Sequence, residues 1–146
     1  MNQDQQDFYQ SLRKKIRKWL DSKAGQNNKW TEYIIWAPDL FHLLVRLSLD
    51  KDVPSSEKAK LAIVIAYFIS PIDLLPEAIL GPVGYTDDIA LAAYVLNSMI
   101  NRIDPQIVER HWAGDEEALK VIRRIVEVAD QMLGKGLWQK VKKYIQ

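Results

Sequence analysis

Four carboxylates and no lysine or arginine lie between Ser70 and Ala90: Asp73, Glu77, Asp87 and Asp88. Like charges gathered in one segment repel, so the cluster needs neutralising partners. Carboxylates completed by loop carbonyls are the donor set of a hard cation, which makes these four residues candidate ligands for Mg²⁺, Mn²⁺ or Ca²⁺. Paired acids such as Asp73 and Asp87 are also what general acid–base chemistry requires. A structural use competes with both. Asp87 and Asp88 follow Thr86 at the start of a predicted helix, where a hydroxyl caps and acids complement the dipole. Asp73 can close a turn by accepting backbone N–H groups. The acids do not fall at the fixed spacing of a calcium loop, so caps and turns are the simpler reading.

The other reactive residues are few. The chain has no cysteine, which excludes a disulfide scaffold, a thiol nucleophile and Cys-ligated zinc or iron–sulfur centres. His42 and His111 are the only histidines, too few for a multi-histidine zinc site. His42 sits three residues after Asp39 and four before Arg46, which predicts a place on the polar side of its helix. His111, beside Trp112 near a predicted helix end, is placed to meet the C-terminal dipole. No Gly-x-Ser-x-Gly elbow, phosphate-cradling glycine loop or His-Glu-x-x-His occurs. The expectation is a non-enzymatic module. The alternative is a divalent-metal-dependent, hydrolase-like enzyme on the four carboxylates.

A second kind of chemistry is charge. Arg13, Lys14, Arg17 and Lys18 fill one side of the first predicted helix, next to Trp19; near the carboxyl end Lys140, Lys142 and Lys143 accompany Trp138. Basic amphipathic helices with aromatic residues can lie on anionic membranes, so these residues form a candidate membrane or partner surface. The formal net charge of +1 hides this segregation. Residues 1–30 carry +4, residues 70–90 carry −4 and residues 131–146 carry +4. With no global positive field and no base-reading motif, nucleic acid is not expected as a partner.

These residues must be held by elements that the sequence predicts. A chain of 146 residues, 48% of them hydrophobic, suits one domain with a real core. Apolar residues recur at helical spacing over 4–23, where Phe8, Leu12, Ile16, Trp19 and Leu20 share a face. Gly25, Asn27 and Asn28 predict a break. A further helical stretch over 30–50 should be kinked or split by Pro38. Residues 57–69 are apolar all round in their second half, which predicts a central core helix, since the run is too short to span a bilayer. A long acidic, proline-containing loop follows, with a short helix beginning at Pro76. A second largely apolar helix runs from Thr86 to Arg102 or Ile103. Asp104 and Pro105 open the next helix, a further one runs to about Leu133, and the last covers 137–145. The fold class is therefore all-α, six or seven helices around two apolar central ones.

The run Tyr67-Phe68-Ile69-Ser70-Pro71-Ile72-Asp73-Leu74-Leu75-Pro76-Glu77, followed by Gly84-Tyr85-Thr86-Asp87-Asp88, resembles the signature of the YkvA-like family, a domain of unknown function. Ser70, Pro71, Pro76, Gly84 and Thr86 belong to that motif. Glu77 stands where the family more often has Asp, which keeps the charge and lengthens the arm. The resemblance implies a small helical domain, often bacterial and sometimes described as membrane-associated, with a family-like core at about 39–103 and accessory helices at 1–30 and 104–146. It implies no established reaction.

The combined expectation is one domain over 1–146, a protein-interaction or peripheral membrane-surface module. A second copy of the chain is a further candidate partner, because five tryptophans exceed what one small core needs. The amino-terminal residues are polar and acidic, unlike a signal peptide, which predicts a cytoplasmic chain resting on the inner membrane face.

Overall fold

The first helix is built to stand on its own. In the computed structural model, which describes residues 1–69, 86–114 and 116–133, α1 spans Gln3–Leu20. Its amino end is a reciprocal capping box: the Asn2 side chain accepts from the Gln5 N–H at 2.8 Å, and the Gln5 side chain accepts from the Asn2 N–H at 3.1 Å. Leu12, Ile16 and Trp19 are buried, while the cationic residues between them face outward.

Among the described residues seven more helical segments follow: α2 (Lys23–Asn27), α3 (Thr31–Ile34), α4 (Ala37–Ser48), α5 (Ser55–Ile69), α6 (Thr86–Ile100), α7 (Pro105–His111) and α8 (Ala118–Leu133). No strand occurs among the described residues. The all-α expectation holds, with local differences. The predicted break at Gly25 contains a short helix, because the Ser22 hydroxyl accepts from the Gly25 N–H at 3.1 Å and starts a new turn. Pro38 splits the 30–50 stretch, as its missing N–H and fixed φ suit the first turn of α4. Asp104 caps α7 by accepting from Gln106 N–H, with Pro105 at the first helical position. The expected short helix at Pro76 and the last helix at 137–145 lie outside the described residues.

The core is one contiguous cluster, and its hub is α4. Ala37, Leu40, Phe41, Leu43, Leu44, Val45 and Leu47 of this helix are all inaccessible to solvent. It packs on α1, α5, α6 and α7, while α6 pairs most extensively with α8. The Phe41 ring lies between Phe8 of α1, at 4.7 Å, and Phe68 of α5, at 5.8 Å, so one aromatic spine ties three helices together.

α5 departs from the sequence expectation. Its inner side, Leu61, Val64, Ile65 and Phe68, is buried as predicted. Its outer side, Ala59, Ala62, Ile63, Ala66, Tyr67 and Ile69, is exposed. α5 and α6 touch each other and both pack on α4, and α5 leaves one apolar face outward.

Candidate functional site

α1 presents five cations within six residues, Arg13, Lys14, Lys15, Arg17 and Lys18, and every one is exposed. Helical geometry sorts them into two rows. Lys14, Lys15 and Lys18 line a cavity of about 450 Å³ with Asp7, Gln10 and Ser11. Arg13 and Arg17 line another of about 410 Å³, whose other walls come from the start of α4 (Pro38, Asp39) and from Ala113 and Gly114 after α7. The Arg13 guanidinium lies over the Tyr9 ring, 5.5 Å from its centre. Burial, with Asp39 adding to it, pushes the Tyr9 phenol above its ordinary pKa, and Arg13 opposes both. No acid is in ion-pair distance of Arg13, Lys14, Arg17 or Lys18 among the described residues. Trp19 is only 8% exposed. It anchors the helix from the core side and is not part of the basic surface.

The second feature is the outer face of α5. Ile63 is 66% exposed, Tyr67 48% and Ile69 42%, on a face whose intervening residues are alanines. Large exposed aliphatics are ordinary when scattered, whereas several on one helix face form a patch.

The third is a buried ionic latch that sequence periodicity does not reveal. Asp50, at the end of α4, accepts from Arg110 at 2.7 Å and pairs with the Nε2 of His111 at 2.6 Å. Its other oxygen accepts the Asp52 N–H at 2.8 Å. Arg110 also reaches Asp52 at 2.9 Å. The Arg110 hydrogen bond first, then His111 and the Asp52 N–H, hold the Asp50 carboxyl well below the usual carboxylate range. A similar tie joins α5 to the turn after α6, where Glu57, 4% exposed, pairs with Arg102 at 3.2 Å.

His111 thus meets a carboxylate rather than only a helix dipole. His42 is half-buried instead of solvated; its ring stacks on Tyr9 at 5.1 Å, and its Nδ1 is buried without a hydrogen-bond partner. Burial first, then Arg46, His111 and the amino terminus, lower its pKa.

Of the predicted metal ligands, Asp73 and Glu77 lie outside the described residues, as does the Asp87 side chain. Asp88 is described, and it is 2% exposed. No group of three His, Asp or Glu residues that could hold a metal ion occurs among the described residues. The motif residues Ser70, Pro71, Pro76 and Gly84, the Thr86 side chain, and the carboxyl-end surface residues Trp138, Lys140, Lys142 and Lys143 also fall outside them. Among the described residues no helix is long and apolar enough to cross a membrane.

Fold and surfaces together define a small all-α domain with a basic helix on one element and an apolar face on another. Residues 57–94 match a family model described as "Protein of unknown function (DUF1232)". That span begins at the buried Glu57, includes the whole exposed face of α5 from Ala59 onward and ends within α6. The chain is also similar to the "Uncharacterized protein ORF9" of Methanothermobacter thermautotrophicus, 24% identical over 115 residues, covering 79% of this chain and 77% of that protein. No solved structure matches.

Proposed function

We propose that this chain is a non-enzymatic, peripheral membrane-surface protein that docks on anionic lipid through α1. The observation that carries the reading is the exposed cationic array Arg13–Lys18 on a helix whose opposite face is locked into the core. A basic residue held near an anionic leaflet contributes about 1 kcal/mol, so Arg13, Lys14, Arg17 and Lys18 together contribute on the order of 4 kcal/mol at low salt. The attraction decays over a Debye length of about 10 Å at 0.1 M salt. The resemblance of residues 67–88 to the YkvA-like signature, a family sometimes described as membrane-associated, supports the same reading.

Co-sedimentation with vesicles of phosphatidylglycerol and phosphatidylcholine tests this. The protein should pellet at low salt and return to the supernatant at about 0.5 M salt. Lys14→Gln with Lys18→Gln should weaken pelleting at least threefold. A protein that stays in the supernatant at low salt ends the reading.

The exposed face of α5 favours a second reading, a protein-interaction role with a second copy as the nearest candidate. Alanines at 59, 62 and 66 allow close helix approach, and Ile63, Tyr67 and Ile69 supply apolar area. Sedimentation equilibrium should then show a dimer that Ile63→Glu converts to monomer. A wild type that is monomeric throughout removes self-association.

A further inference from the structure

We infer that the groove between α1, the amino end of α4 and the segment after α7 is a subsite for the phosphate of one lipid headgroup. This rests on the anionic-surface reading and adds a shaped pocket to a diffuse charge. The first observation is the sorting of side chains. Both arginines of the cluster line this groove, and the three lysines line the other cavity. Lysine is a compact point charge, suited to a smeared surface potential. Arginine presents a planar fork of donors that matches phosphate oxygens two at a time. Arg13 and Arg17 are one helical turn apart, so their guanidinium groups reach a common anion from one side.

The remaining walls suit the same ligand. Arg13 is already oriented by the Tyr9 ring beneath it, which reduces what it loses on binding. The amino end of α4 enters the groove at Pro38 and Asp39, and its cap residue Trp36 makes no side-chain capping bond. The positive end of the α4 dipole therefore adds to the two arginines. Among the described residues of the lining, Asp39 carries the one opposing charge. Ile16, Leu20 and Ile35 add the smaller, apolar share of the lining. Arg13 and Arg17 belong to the same exposed array as the lysines, so the phosphate they meet is that of a lipid in the surface on which α1 docks.

The test uses the full chain and three probes: inorganic phosphate, dihexanoyl-phosphatidylglycerol below its micelle concentration, and phosphatidylglycerol vesicles. Amide NMR shifts of Asp39, Ala113 and Gly114 read occupancy of the groove. The short-chain lipid should move them saturably, and equal concentrations of phosphate should not. Arg13→Lys with Arg17→Lys keeps the charge and removes the forks; it should weaken the short-chain lipid at least fivefold. Unaltered affinity in that variant overturns the inference, as does phosphate binding as tightly as the lipid. Vesicle pelleting without any groove shifts from short-chain lipid rejects the subsite and leaves the surface reading standing. Saturable groove shifts without pelleting reject the surface reading and leave the subsite standing.

Discussion

Acid should loosen this protein in two stages, each set by one side chain. The pKa of His42 is lowered in the folded state, so the unfolded chain binds the proton more readily, and stability falls as pH drops below the unfolded value of about 6.5. Asp50 is held below the usual carboxylate range, so its contribution is complete above an unfolded pKa of about 3.9 and is lost as pH falls further. Melting temperatures at pH 7.5, 5.5 and 3.5 check both. His42→Phe, which keeps the stack on Tyr9, should flatten the first drop; Asp50→Asn should lower the melting temperature at neutral pH and shrink the second. Arg102→Ala leaves the buried Glu57 with Lys60 at 3.7 Å as its remaining ion-pair partner, and denaturant unfolding should show a loss of about 1–2 kcal/mol. None of these ties was legible in the sequence. Asp50 and His111 lie 61 residues apart, and neither stands in a motif that signals pairing. The carboxylates that did stand out, Asp73, Glu77, Asp87 and Asp88, drew attention because no Lys or Arg lies among them.

Helices, by contrast, were readable wherever a cap or a proline punctuates the chain. Asp104-Pro105 starts α7, and Pro38 divides the second stretch where its ring requires. The short α2 was not foreseen, because Gly25 reads as a breaker. Its reason for being glycine is space: a Cβ there would stand 2.1 Å from the carbonyl oxygen of Trp19. Gly25→Ala must push backbone apart between α1 and α2, and chemical denaturation should show a loss of about 1–3 kcal/mol. α5 was readable as a core helix, and the exposure of one of its sides was not. When both sides of a helix are apolar, hydrophobic periodicity carries no phase, so composition cannot say which side faces the core. Paired substitutions measure the difference. Leu61→Ala on the inner side should cost about 2–5 kcal/mol, and Ile63→Ser on the outer side within about 0.5 kcal/mol.

Across the whole molecule, charge and core are organised around different helices. α4 is buried along its apolar side among four neighbouring helices, and α1 carries five exposed cations beside its own buried face. The sequence showed that the amino-terminal region was basic. It did not show that arginines and lysines part into separate grooves, because that depends on where α4 and the segment after α7 come to rest.

The aromatic spine through Phe41 has a consequence for energetics of association. A polybasic tail in solution is a fluctuating string that must give up conformational freedom when it meets a surface. α1 cannot behave that way, since Phe8, Leu12, Ile16 and Trp19 fasten it along its length. Its cations form a fixed lattice, spaced before any encounter. Far-ultraviolet circular dichroism should therefore be unchanged by added vesicles, and calorimetry should record no heat of helix formation. On the membrane-docking proposal, a bilayer would meet a stamp with its pattern already cut.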